Sequence, residues 1–498
     1  MGNCYNPQSN QFNKRMIPKT KVLVLLPLLA ASTIAFGQQV DADRGLEVES
    51  IDEGPAEEGR LLQEFERYRS LLDEGAVDEA DTSAKRIVAM AIRIFGPESL
   101  ETAKALNNLA IVQSRSGQYD AAIQNFESAV GIIEDVEDRL NAQLVNPLKG
   151  LGAAQLNSGR PDLAVETYNR ARHITHVNEG PHNIEQVEIL EALAESTLRA
   201  GDSEMARDVL DQIHILNVRH FQNNALGLLP SLMRRGDWQH KAGYYNDERA
   251  TYRRAIRIIE GQLGKDHPSL LPPLQKLGKS FYFVDLSESN PLRSGVVPTG
   301  EIYFKRAVRI AESVPDLHWS ELVDAELALA DFYIYSEAHN RARAIYTEMW
   351  TLLSADEERL QARARMLEQP NVLLQRPLPS YVSSSAANNA KNEKMLTGTI
   401  RVDYTVSPRG RVRNLRTEAI PPEFTDMQRM VHREMRSRVF RPMMANAELQ
   451  TTDNQVFEHT FFYRQSDLDK LRETMQQPAE NPSPTEAEQP ADAEKAGS

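Results

Sequence analysis

The sequence predicts an all-α solenoid of stacked helical hairpins followed by a small α+β domain of β-β-α-β order. Three observations carry this. Glycines recur every 42 residues, at Gly75, Gly117, Gly159, Gly201 and Gly243. The apolar residues between them keep the 3.6-residue spacing of a helix face. After residue 396 that spacing gives way to a period of two, the mark of a half-buried strand. The 498 residues are 41% hydrophobic and 26% charged, enough apolar material for a core along most of the chain.

In chain order, the first feature is a basic flank of Lys14, Arg15, Lys19 and Lys21. An apolar run from Val22 to Phe36 follows, with small residues at Ala35 and Gly37. That order predicts a cleavable export signal over residues 1–37. The run is shorter than the ~20 apolar residues of a spanning helix, and it carries Pro27. Cleavage removes Cys4, the only cysteine. One thiol makes neither an internal disulfide nor a cysteine-based metal site. Residues 38–59 read as a polar N-terminal segment.

The repeats occupy residues 60–355. The glycine series is accompanied by Leu106, Leu148, Leu190, Leu232 and Leu274, and by the small residues Ala110, Gly152, Ala194, Gly236 and Gly278. In one unit, Leu106, Leu109 and Ala110 share a face of a first helix. Gly117 turns the chain, and Tyr119, Ala122, Phe126 and Ala129 line a second helix. A single hairpin cannot bury such a face, but a stack of them can. Gly96-Pro97-Glu98-Ser99, Gly180-Pro181-His182-Asn183 and Gly264-Lys265-Asp266-His267-Pro268-Ser269 mark junctions between hairpins. The phase slips after Phe283, where a polar stretch predicts an insertion loop at about 286–299. Six or seven hairpins are expected, the first (around Glu64 to Ile87) and the last (ending near Leu353) being degenerate caps.

The segments LNNLAIVQSRSGQYDAAIQNFESAV and LGAAQLNSGRPDLAVETYNRA resemble tetratricopeptide repeats. The 42-residue period and the G-x-x-H-P junction are similar to the long-period form of kinesin light chains. This resemblance implies a concave groove lined by the first helices. The groove positions are then Lys104, Asn146 and Glu188, and Asn107, Lys149, Glu191, Met233 and Gln275. They share no uniform chemistry, so a peptide groove and a plain spacer are both open.

Residues 356–396 read as a helical extension and linker. In the domain at 397–465, Ile400, Val402, Tyr404 and Val406 alternate with polar residues, and Ser407-Pro408-Arg409-Gly410 makes a turn. Arg411–Arg416 is a second strand. A helix begins at Thr425, with Gln428 completing a capping box, and Met427, Met430, Val431 and Met435 form its buried stripe. Val456–Arg464 is the last strand, and 466–498 is an acidic, proline-rich tail expected to be disordered.

GTIRVDYTVSPRGRV, VFRPMM and HTFFYR in this block resemble the C-terminal domain of the TonB family. The resemblance implies an edge strand that takes an extended peptide from an outer-membrane transporter. Its residues here are Val456, Phe457, Glu458, His459, Thr460, Phe461, Phe462 and Tyr463. Strand addition supplies affinity through backbone hydrogen bonds and specificity through side-chain pockets.

Bland readings are preferred elsewhere. Gly278-Lys279-Ser280 lacks the glycine that a phosphate loop needs, because Pro273 stands there. His173 and His176 have no third metal ligand at useful spacing, and Arg429, Arg433, Arg436 and Arg441 read as a solvated helix face. The net charge of −14 argues against a nucleic-acid partner. The expectation is a non-enzymatic interaction protein of a Gram-negative periplasm, without metal, cofactor or small-molecule substrate. Its partners are an outer-membrane transporter or other envelope protein, components of a TonB system, or a second copy through the C-terminal domain. An envelope scaffold or dimerisation module without a transport role is the alternative. A retained signal would instead make it an anchored energy transducer.

Overall fold

The computed structural model describes residues 54–222, 224–283, 300–380 and 393–476. The expected export signal, most of the polar N-terminal segment, the 286–299 insertion, part of the linker and the tail beyond 476 lie outside the described residues.

Among the described residues, seven antiparallel hairpins follow in order. They pair α1 (Gly54–Glu74) with α2 (Val77–Phe95), α3 (Leu100–Arg115) with α4 (Tyr119–Val136), and α5 (Val145–Asn157) with α6 (Pro161–Glu179). Next come α7 (Gln186–Ala200) with α8 (Ser203–Phe221) and α9 (Leu229–Lys241) with α10 (Tyr245–Gln262). The last are α11 (Leu271–Ser280) with α12 (Glu301–Ser313) and α13 (Trp319–Tyr335) with α14 (His339–Leu352).

The repeated sequence features have repeated structural roles. Leu148, Leu190, Leu232 and Leu274 are each at most 1% exposed. The small residue facing the second helix admits an aromatic ring: a Cβ on Gly236 would come within 2.4 Å of the Tyr252 ring. At the turn, Gln118 N–H donates to Gln113 C=O at 2.8 Å around Gly117, whose φ is 76°. That left-handed backbone is open to glycine at no steric cost. In the last hairpin Glu337 stands there at φ 63° and Ala338 N–H donates to Tyr333 C=O at 2.8 Å.

Helix α15 (Glu357–Met366) follows, and the chain then departs from the expected linker. Strand β1 (Asn371–Leu374) pairs antiparallel with β4 (Val439–Arg441), which directly follows helix α16 (Thr425–Ser437). A small hairpin of β5 (Met444–Ala445) and β6 (Glu448–Leu449) comes next. Val439 and Met444 are buried in the same apolar cluster as Leu353 and Leu367, with Leu374 and Leu449 packed against it. These strands therefore cap the solenoid core: Val439, Met444 and Leu449, all within the 397–465 block, pack with the last hairpins and not with the sheet that follows. The signal was invisible locally because β1 and β4 lie about 70 residues apart, a pairing no local pattern reports.

The remaining sheet has the order β3-β2-β7, with β2 (Met395–Val406), β3 (Val412–Ile420) and β7 (Thr452–Arg464). Its core face carries Ile400, Val402, Phe461 and Tyr463 against Met427, Val431 and Met435 of α16. Two details of α16 correct the sequence reading. Met430 is 45% exposed, outside the buried stripe. Thr425 is already helical and Phe424 takes the cap position, while the Gln428 amide donates to Thr417 C=O at 2.7 Å, so no capping box forms. The expected disorder from residue 466 is also corrected: α17 (Gln465–Gln476) continues the chain, its Leu468 only 5% exposed in the sheet core. That apolar anchor outweighs the polar composition around it.

Candidate partner-binding surfaces

Strand β7 sits at the end of the sheet, hydrogen-bonded to β2 on one side. Its residues alternate. Phe461 and Tyr463 are buried in the core; Phe457 and His459 are half-buried on that same face. Val456, Glu458 and Thr460 are exposed on the other face, where Arg401 of β2 bridges to Glu458 at 4.0 Å. On the outer edge, Phe462 N–H donates to Ser380 C=O at 2.9 Å. Alternate residues of an antiparallel strand aim N–H and C=O the same way. Val456, Glu458 and Thr460 thus present theirs to the edge that Ser380 occupies at Phe462.

The chain upstream of the sheet closes that end of the edge. His459 Nε2–H donates to Pro379 C=O at 2.9 Å. Burial holds the imidazole below its ordinary pKa and the nearby Arg438 guanidinium adds to this, while the Pro379 bond opposes both. Arg376 N–H donates to the Glu434 carboxylate of α16 at 2.5 Å. The Phe462 side chain reaches the solenoid: a Cβ on Gly159, in the turn between α5 and α6, would come within 2.2 Å of its ring. Gly159 is buried, whereas the equivalent Gly75, Gly117 and Gly201 are exposed.

A buried charge pair ties β4 of the two-stranded sheet to the solenoid. Arg441 Nε and Nη2 donate to the two oxygens of Asp331 on α13 at 2.8 and 2.7 Å. Arg441 Nη1 donates to Met366 C=O at 3.0 Å, and the Tyr346 hydroxyl donates to Asp331 Oδ1 at 2.8 Å. The Arg441 side chain is 13% exposed and that of Asp331 4%. Sequence reasoning put Arg441 with Arg429, Arg433 and Arg436 on a solvated helix face. Those three are exposed on α16, but Arg441 lies beyond it, on β4. Nearby, Arg411 bridges to Glu337 of the last hairpin turn at 3.0 Å.

Three of the groove positions, Lys149, Glu188 and Glu191, take part in ion pairs between neighbouring hairpins. Lys149 bridges to Glu188 at 2.6 Å, Glu191 to Arg234 at 3.5 Å, and Asp237 to Lys276. These pairs join α5 to α7, α7 to α9 and α9 to α11, forming an ionic ladder along the first helices. Burial raises the Glu191 pKa, with Arg234 pulling it back. Asn146 is exposed and Lys104 bridges only to Glu101 within α3, at 3.9 Å. Met233 and Gln275 are half-buried, as is Asn107, whose Oδ1 is buried without a hydrogen-bond partner among the described residues. His173 and His176 are exposed on α6. Among the described residues no group of three or more potential ligands could hold a metal, and no helix is long and apolar enough to cross a membrane.

No curated protein matches the chain. Solved structures match parts of the chain at low identity. A kinesin light chain repeat protein of Podosopora anserina is 18% identical, covers 41% of this chain and 97% of its own, and has a TM-score of 0.38. The C-terminal part of a repeat protein of Cytophaga hutchinsonii is 11% identical over 60% of this chain and 98% of its own, with a TM-score of 0.37. A signal-transduction ATPase of Pyrococcus horikoshii with a repeat sensor is 11% identical over 61% and 44%, with a TM-score of 0.40. Residues 69–135 match the tetratricopeptide repeat family model, so the helical hairpins of this chain include tetratricopeptide repeats.

Proposed function

We propose that this chain is a non-enzymatic protein-interaction protein of the bacterial envelope. In this reading the tetratricopeptide solenoid is the scaffold and β7 takes an extended peptide by strand addition. The coarse part follows from the repeats, a fold of protein–protein interaction. The single observation that carries the finer part is the stretch of β7 at Val456, Glu458 and Thr460, which has no strand on its outer edge among the described residues. The TonB-like segments and the leader-like residues 14–37 support an exported protein accessory to outer-membrane transport.

The test is in-cell photo-crosslinking from Glu458, with capture identified by mass spectrometry. Expected is capture of an outer-membrane transporter, abolished by Thr460→Pro, which removes an outward N–H while sparing the β2 ladder. Capture of a second copy alone would favour the dimerisation module. No capture from Glu458, with capture from Asn146, would overturn strand addition and leave the groove as the recruiting face.

A further inference from the structure

One joint of the solenoid breaks the repeat. The position three residues after each core leucine is Leu109, Leu151, Leu193 and Leu277, every one at most 6% exposed. In α9 the same position is Arg235. On the second helices, the position of His214 is filled by buried Val130 in α4 and buried Ile256 in α10, and by Arg172 in α6. Where an arginine and a histidine replace this apolar packing, a cavity of about 300 Å³ opens between α8, α9 and α10. Asp211, His214, Arg235, Gln239, Asp247 and Arg254 line it.

The lining sets Arg235 and Arg254 against Asp211 and Asp247, but the donors are not all used. Asp211 accepts from Arg235 Nη2 at 2.6 Å, and Asp247 pairs with Arg207 at 3.4 Å. The second nitrogen of Arg235, Nη1, is buried with no partner among the described residues. Arg254 donates through Nη1 to the Nε2 of His214 at 2.9 Å. Burial, then Arg235 and Arg254, push the His214 pKa down to about 4, against a smaller pull from Asp211. The imidazole is therefore neutral at pH 7 and accepts the Arg254 hydrogen bond. Asp211 and Asp247 pair with Arg235 and Arg207, and Arg254 makes no ion pair with a carboxylate among the described residues. A buried guanidinium N–H left unpaired costs free energy.

We propose that this joint binds a small oxyanion, a carboxylate or phosphate group held between Arg235 and Arg254. Guanidinium forks present paired donors to such oxygens. The cavity volume of about 300 Å³ lies at the low end of ligand clefts, which suits inorganic phosphate or a small dicarboxylate rather than a nucleotide. The anion would supply an acceptor for Arg235 Nη1 and an ion-pair partner for Arg254.

The experiment is a histidine NMR titration of the full chain with sodium phosphate, sodium succinate and sodium chloride at matched ionic strength. Expected is a saturable shift of the His214 resonances with phosphate, succinate or both. The His214 pKa should climb from about 4 toward its usual 6.5, because the anion offsets the repulsion from Arg235 and Arg254. A response to phosphate alone names a phosphate site, and one to succinate alone a carboxylate site. Arg235→Leu restores the residue of the other repeats and should keep the fold while weakening binding at least about tenfold. Arg254→Gln should do the same and serves if Arg235→Leu does not fold. Three results would overturn the proposal: no His214 shift at about 10 mM anion, where even a millimolar site is filled; an equal response to chloride; or undiminished binding in a folded Arg235→Leu or Arg254→Gln chain.

Discussion

Replacing Arg441 by methionine tests whether the C-terminal strands are welded to the solenoid by the Asp331 pair. The substitution removes both bonds to Asp331, at 2.8 and 2.7 Å, and the bond to Met366 C=O at 3.0 Å. Among the described residues it leaves the Asp331 carboxylate, 4% exposed, with the Tyr346 hydroxyl alone. Three charge-assisted bonds at their nominal values would overstate the loss, because Arg441 regains its own hydration in the unfolded chain. Breaking a buried pair at one partner costs about 3–5 kcal/mol, most of it the stranded charge. The double change Asp331→Leu, Arg441→Met removes both charges and should recover most of that loss, since apolar replacements of buried pairs are often neutral. A chain of stacked repeats does not unfold as one unit, so the assay must be local. Hydrogen exchange at Phe440 is suited to it, because that N–H donates to Gly410 C=O at 2.9 Å beside the pair. The single variant should speed its exchange by two to three orders of magnitude, about 3–4 kcal/mol, and the double variant much less. A single-variant effect below about 1 kcal/mol, the scale of an exposed pair, would refute the weld.

Two further outcomes are open to simple measurement. Gly236→Ala should destabilise by about 1–3 kcal/mol, because its Cβ would fall 2.4 Å from the Tyr252 ring. Gly131→Ala in α4 meets nothing within 4 Å and should stabilise by up to ~1 kcal/mol; thermal melts of the pair decide, and equal shifts would contradict the packing. Glu326 on α13 is raised to about 7 by burial and then by Glu348 and Glu312. Its folded value lies above the unfolded one, so ionisation opposes folding: the penalty is absent below about pH 4, grows between 4.5 and 7, and is full above. Glu326→Gln should therefore raise the melting temperature at pH 8 and not at pH 4, by an amount near 1 kcal/mol after solvent screening of this half-buried group. A gain of equal size at both pH values would show that the charge is not the cause.

Much of the solenoid was legible because its contacts are short-range and repeated. The leucine, small-residue and aromatic series each recur at 42 residues, and each meets a neighbour within the same or the next hairpin. The terminal sheet was legible as strands but not as an assembly. Residues 371–374 read as linker, since four residues, three half-buried and Val372 exposed, announce a strand only when a partner is known. Arg441 read as one more surface arginine by composition. Of the candidate residues, Phe461 and Tyr463 proved to be core, while Lys149 proved to be paired with Glu188 and Glu191 with Arg234. The closure at Ser380 and the contact of Phe462 with Gly159 had no local signature.

What the sequence determined by itself is which face of each helix and strand is apolar and how often the pattern repeats. Burial of a repeated face between like neighbours follows directly, because the partner is another copy of the same pattern. What only the tertiary structure decided is what lies opposite each polar group. Arg441 meets a carboxylate 110 residues away, and Arg235 stands where its sister repeats place leucine and has one nitrogen unpartnered among the described residues. Periodicity reports that a side chain faces inward; the fate of a charge depends on the dielectric and the partner it finds there.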